Sequence, residues 1–264
     1  RFNPIVAEIK NLIENPRYLP IMTSRGCPFS CSFCAQKIVS MPFEQRDHMK
    51  VIEEFLYHSE RFNVVDFAFY DDALFINKKE HINKILRALI RSKLNLRLHT
   101  PNGLFAKEID PELAALMYDS GFKTIRLSFE TSNEKRRADM GSKVSNLDII
   151  NAVSYLEKAG FRRDEIDAYI LMGLPGQSID EVMESVTFLQ DLGVKIRLCS
   201  YSPIHNTKDF NRAVENHLID ADIDPLLTNK TIFTLLRNSH DIDKLLHIKD
   251  IVKGYNEKLP ALRI

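Results

Sequence analysis

Cysteine is scarce in this 264-residue chain: there are four, too few and too unevenly spread for a disulfide framework. Charge of one sign is lacking as well. Thirty-six basic residues balance 36 acidic ones, so the total favours neither nucleic acid nor an anionic membrane as a partner. No uninterrupted apolar run reaches the roughly 20 residues that a membrane span needs. There is no secretory leader pattern, and the chain starts at Arg1 rather than Met, which reads as a segment of a longer protein. No GxGxxG follows the first strand candidate, which weighs against a doubly wound dinucleotide fold. No second CxxC is present either, so a four-ligand zinc site would have to recruit a distant histidine such as His48 or His99.

What is present is concentrated. RGCPFSCSFCA, residues 25–35, holds Cys27, Cys31 and Cys34, while Cys199 stands far away. In a reducing cytoplasm, the expected compartment, such a triplet reads as metal-binding or catalytic. Thiolates suit zinc, copper(I) or iron–sulfur chemistry. Three donors in one compact loop suit a four-iron cluster with one iron left open.

Short β-branched or aromatic runs alternate with amphipathic stretches along most of the chain. The strand candidates are 18–23, 64–70, 95–100, 124–129, 166–172 and 195–201. Asp110-Pro111 and Ser145 read as helix starts, and Gly121 and Gly160 as helix ends. Repeated strand–helix units imply a parallel sheet with right-handed crossovers, here an α/β partial (β/α)6 TIM-like barrel. In such folds chemistry gathers where strands end. Those places hold the cysteines, Asp71-Asp72, His99 with PNG (101–103), Glu130-Thr131, GLPGQ (173–177) and SPIHNT (202–207).

CPFSCSFC fits the CxxxCxxC signature of radical S-adenosylmethionine (radical SAM) enzymes, including the aromatic Phe33 before the last cysteine. The chain resembles that family from about Tyr18 to Asn206. NGLFA, IDPELAALMYDSGFKTIRLSFETSNEK and YILMGLPGQSIDEV are most similar to the radical cores that accompany cobalamin-binding domains. The resemblance implies that Cys27, Cys31 and Cys34 ligate a [4Fe-4S] cluster whose fourth iron chelates S-adenosylmethionine. Phe33 would lie against the adenine, Asp71 or Asp72 would receive the cofactor amine, and Glu130 with Ser128 would meet the ribose. Gly173 to Gly176 would let backbone approach the cofactor. His205 stands where relatives carry Pro-Gly-Thr, of which only Thr207 survives. The implied reaction is reductive cleavage to a 5′-deoxyadenosyl radical that abstracts a hydrogen from the substrate. Methyl transfer, rearrangement and cyclisation are the open outcomes. Cobalamin would be needed only if an upstream domain carries it. The expected partners are a small-molecule or peptide substrate and an electron donor such as flavodoxin or ferredoxin. A non-catalytic zinc or structural-cluster module is the alternative.

Strand alternation places Asp66, Ala68, Tyr70, Asp72, Arg97, His99, Arg126, Ser128, Glu130, Asp167, Tyr169, Leu171, Arg197, Cys199 and Tyr201 inside the barrel. A purely structural barrel would fill that face with aliphatics, so a wet or ligand-filled centre is expected. The deeper charges read as a plug of three Arg and two Asp, or as a hold on an anionic substrate group. Cys199 and Tyr201 are the candidate hydrogen-atom donors, with apolar filler as the other reading of Cys199. Ser30 and Ser32 are candidate donors to the sulfurs, with plain solvent-facing hydroxyls as the other reading. The run EKRRAD (134–139) reads as a helix start facing solvent. By organisation the chain divides into a lead-in (1–17), the core (18–207) and a helical extension (208–264) closing the barrel.

Overall fold

The structure, a computed structural model, describes residues 16–141, 144–228 and 239–259, so most of the lead-in lies outside the described residues. In chain order the strands are β1 (Leu19–Ile21), β2 (Ser24–Arg25), β3 (Glu44–Gln45), β4 (Asp66–Phe69), β5 (Arg97–His99), β6 (Leu104–Phe105), β7 (Phe122–Glu130), β8 (Ile166–Met172) and β9 (Lys195–Ser200). The α-helices are α1 (Gln36–Val39), α2 (His48–Phe62), α3 (Ile82–Ser92), α4 (Pro111–Asp119), α5 (Glu134–Asp139), α6 (Asn146–Ala159), α7 (Ile179–Asp191), α8 (Lys208–Glu215) and α9 (Ser239–Lys258).

Six parallel strands run in the order β1-β4-β5-β7-β8-β9, with β6 attached to β7 and no pairing between β1 and β9. The barrel is therefore partial, and all six strand candidates are strands in it. Two features go beyond the sequence reading: β6, and the antiparallel pair β2–β3 that brackets the cysteine loop.

Local chemistry sets the boundaries. Asp110 caps α4 by accepting from Leu113 N, with Pro111 opening the helix. Ser145 and Asp148 form a reciprocal capping box on α6, and Gly160 closes that helix in the left-handed region. Gly121 also takes a positive φ just past α4. On α3, Ile82, Ile85, Leu86 and Leu89 fall at helical spacing and all are buried. The outward faces of β7 and β8 (Ile125, Leu127, Phe129, Ala168, Ile170, Met172) are sealed against helices at 1% exposure or less. The inward residues Arg126, Ser128, Tyr169, Leu171 and Cys199 are only half-buried. That contrast gives the wet centre the alternation implies.

The β9 edge is covered by α9, which packs on α7 and β9. There the Asn256 side chain accepts from Ile196 N (3.0 Å) and donates to Ile196 O (2.8 Å). A side-chain amide thus occupies one pair of ladder positions, blunting an edge that would otherwise invite strand addition. No helix among the described residues is long and apolar enough to cross a membrane.

Candidate active site

The cysteine loop leaves β1 at the C-terminal end of the sheet and is held from three sides. Asp71, just past β4, anchors its start: Thr23 N donates to both carboxylate oxygens at 3.0 Å, Thr23 Oγ1 donates at 2.8 Å and Ser24 Oγ at 2.6 Å. Gly26 follows with φ +68°, and a Cβ there would stand 2.3 Å from Met41 O, so the turn demands glycine. The middle is fixed where Ser32 N donates to Met140 O (3.0 Å) and Asp209 N donates to Ser32 O (3.0 Å). Ser32 Oγ donates to Asp209 Oδ2 at 2.7 Å. Ser32 is thus an anchor to α8, which corrects its reading as a donor to sulfur. Replacing Asp71 with Ala leaves three buried donors without an acceptor, and the expected cost is about 3 kcal/mol in denaturant unfolding. Unchanged stability would contradict the anchoring role.

Held this way, Cys27, Cys31 and Cys34 are half-buried and lie within electrostatic reach of one another. Burial pushes the Cys31 thiol up to about 12, with Glu130, Cys34 and Cys27 adding to the rise. Burial also raises the Cys27 thiol, and Cys34 and Asp72 push it the same way, partly offset by a Phe29 backbone hydrogen bond. Such a set favours a cation that offsets its accumulated charge. Among the described residues no three His, Cys, Asp or Glu side chains converge tightly enough for a single ion. Donors spread along a loop match a cuboid cluster better than one zinc.

Two carboxylates face this loop. Asp72 accepts from Gln36 Nε2 at 2.8 Å, and its own carboxyl is raised by burial and by Asp71. Asp71 is saturated by Thr23 and Ser24, so Asp72 is the one left open toward the thiols. Glu130 ends β7 at φ +65°, beyond a register shift against β8 between Ser128 and Glu130. A left-handed conformation in a non-glycine residue stores roughly 1 kcal/mol or more and must be enforced by its surroundings. Arg137 enforces it. Its Nε (2.9 Å) and Nη2 donate to Thr131 O, Nη1 donates to Val144 O (2.9 Å), and Nη2 donates to Asn146 Oδ1 (2.6 Å). The guanidinium lies 4.8 Å from the Phe129 ring centroid, and the side chain is 1% exposed. The solvent-facing reading of 134–139 holds for Glu134, Lys135 and Asp139, which are exposed, and is corrected at Arg137, which is a core cation.

Burial pushes the Glu130 carboxyl up to about 7, against the opposing pull of Arg137. Its folded pKa lies above the unfolded value of about 4.3, so the native state holds a proton that the unfolded chain releases. The contribution of this group to stability is therefore highest below about pH 4.5 and falls as pH rises to about 7. The metal-free protein should lose about 2 kcal/mol between pH 5 and pH 8 through this group. Glu130→Gln should remove that slope; parallel pH profiles for the two proteins would contradict the assignment.

The remaining expected residues are placed as follows. Ser128 packs against Gly103, whose hypothetical Cβ would stand 2.2 Å from Ser128 Oγ. Gly173 and Gly176 both have positive φ. Their turn is tied by Gln177 Oε1, which accepts from Gly173 N (2.8 Å) and Leu174 N (3.2 Å), while Gln177 Nε2 donates to Leu171 O (3.0 Å). Phe33 packs on a small apolar cluster of Met140, Leu174, Tyr201, Phe210, Ala213 and Ile219. Tyr201 belongs to that cluster at 3% exposure, and burial raises its hydroxyl above the usual tyrosine range. His205 packs on Phe210 in a tilted arrangement with ring centroids 4.3 Å apart. Cys199 pairs in register with Leu171. The deeper charges form two ion-paired groups, Asp66–Arg97–His99 and Arg126–Asp167–Arg197. No local pattern marks Arg137, Gln36, Gln177 or Asp209 for these supporting roles.

Comparison with known proteins agrees with this geometry. An uncharacterized methyltransferase of Pyrococcus horikoshii is 26% identical over 90% of this chain. Cytidylyl-2-hydroxyethylphosphonate methyltransferase of Streptomyces wedmorensis is 23% identical over 76% of it. The chain spans 53% and 38% of those proteins, about half or less of their lengths. The radical S-adenosylmethionine methyltransferase TsrM of Kitasatospora setae, solved with tryptophan and a SAM analogue, superposes with a TM-score of 0.66 at 18% identity. That match covers 75% of this chain and 39% of TsrM, and it bears on the fold. The model of the Radical SAM superfamily matches residues 21–189, and on that match the chain belongs to this superfamily of enzymes.

Proposed function

We propose that this chain is the radical-generating core of its enzyme, with Cys27, Cys31 and Cys34 as the ligands of a [4Fe-4S] cluster. The observation that carries the reading is the single loop of three thiols within electrostatic reach of one another, fastened at the C-terminal ends of the strands and faced by Asp72 and Glu130. When bound, the cluster and S-adenosylmethionine supply a one-electron reductive cleavage that yields methionine and a 5′-deoxyadenosyl radical able to abstract a substrate hydrogen. The protein's part is to bind, orient and exclude water. Asp72 is the acceptor suited to the cofactor's ammonium, being the carboxylate that Thr23 and Ser24 leave free. Glu130 and Ser128 are suited to the ribose hydroxyls, the Gly173–Gly176 turn to close backbone approach, and Phe33 to the adenine. Cys199, on the inward face, is better placed than the cluster-buried Tyr201 to exchange a hydrogen atom with substrate.

Methyl transfer is the outcome favoured by the names of the relatives, with cobalamin supplied by sequence outside this chain; a flavodoxin- or ferredoxin-type protein would deliver the electron. S-adenosylmethionine added to the reduced, reconstituted protein should change the electron paramagnetic resonance spectrum of the cluster. An unchanged spectrum at saturating S-adenosylmethionine would contradict direct binding at the open iron.

A further inference from the structure

The inward face of the sheet carries an uneven balance of charge below the rim. Across β4 and β5 one acid meets one guanidinium: Asp66 is held by Arg97, and His99 Nε2 lies 3.0 Å from it. Across β7, β8 and β9 one acid meets two. Arg197 Nε donates to Asp167 Oδ2, while Arg126 Nε stays 3.7 Å from that same oxygen. Arg126 Nη1 donates to Pro101 O at 3.1 Å, the carbonyl that also accepts from Tyr169 OH. Its Nε is sealed from solvent with no hydrogen-bond partner among the described residues. Arg126, with its side chain only 25% exposed, shares the single charge of Asp167 with Arg197, so a second anion would balance the pair.

Arg126 stands four residues before Glu130 on β7, roughly 13 Å deeper along the strand. Its inward neighbours Ser128 and Tyr169 are half-buried, as Arg126 itself is. The geometry points to Arg126 as the recognition residue for an oxyanion of the substrate, a carboxylate or a phosphoryl group held against the barrel wall. This rests on the reading of the rim as the radical-generating end, and it names the chemical class of what lies beneath it. A carboxylate or phosphoryl oxygen pair matches the planar fork of arginine in a way that lysine cannot reproduce.

The test titrates the full-length protein at fixed ionic strength with inorganic phosphate in one arm and succinate in the other, following the thermal midpoint. At least one probe should give a saturable rise, and R126Q should weaken its apparent affinity at least tenfold. R126K, which keeps the charge and guards against a folding defect, should fall between the two. Substitution of the exposed Arg87 on α3 should leave the affinity unchanged. Saturation by phosphate alone assigns a phosphoryl group, and saturation by succinate alone assigns a carboxylate. Equal affinity in R126Q and the parent, or no saturation with either probe, overturns the proposal. Iron and sulfide content of the same parent sample tests the radical reading separately: their absence overturns that reading and leaves a tenfold loss in R126Q standing.

Discussion

Replacing Cys31 with Ala abolishes cluster assembly and with it 5′-deoxyadenosine formation, a loss expected to exceed about 1000-fold. Cys31 is the middle donor of the loop, and its thiol feels Cys27, Cys34 and Glu130 together. Removing it leaves two thiols seven positions apart, Cys27 and Cys34, which cannot satisfy three irons of a cuboid. The loop itself should survive, because its anchors are Asp71, Asp209 and the Met140 carbonyl rather than the sulfur atoms. The variant should therefore unfold at nearly the parent's denaturant midpoint when both are metal-free, while reconstituting with little iron or sulfide. Parent-like iron and sulfide content in Cys31→Ala would remove this residue from the ligand set.

Arg137→Met is the second large effect, and it falls first on stability. Four hydrogen bonds from the guanidinium converge on Thr131 O, Val144 O and Asn146 Oδ1. Met matches the length of the stem but leaves those acceptors buried and unpaired, so about 4 kcal/mol should be lost. Arg137→Lys keeps the charge but cannot reach all three acceptors, so it should recover less than half of the loss. The same substitution carries an electrostatic signature. Arg137 draws the Glu130 carboxyl downward, so its removal should raise that group above about 7 and move the pH-dependent loss of stability to higher pH. A destabilised Arg137→Met protein whose Glu130 titrates where it does in the parent would sever the link between this cation and the strained strand end.

The parallel core was legible because its strands are buried on the outer face and repeat with helices at regular intervals. Ile166–Met172 falls in the structure where the pattern set it. Two-residue strands carry no periodicity, so β2, β3 and β6 emerge only from tertiary pairing. Strand parity already separated the two adjacent acids, putting Asp72 on the inward face, and the structure adds what Asp71 does with its carboxylate. Within EKRRAD only Arg137 escaped the reading, because a run of charges normally faces water, as Glu134, Lys135 and Asp139 do. Nothing local signals that carbonyls from Thr131 and Val144, with Asn146, converge on Arg137. Glu130 was legible as a rim acid, but its left-handed backbone was not, since such strain comes from the packing around it rather than from its own side chain. Tyr201 shares strand parity with Cys199, yet the helix after β9 folds back over it and makes it core.

The most direct measurement is anaerobic reconstitution of the full-length protein with iron and sulfide, followed by dithionite reduction in the presence of S-adenosylmethionine. A loop with three sulfur donors and one open corner predicts about four irons and four sulfides per chain, with 5′-deoxyadenosine and methionine as products. Protein that takes up one zinc and no sulfide, or a loaded cluster that leaves S-adenosylmethionine intact, would contradict it.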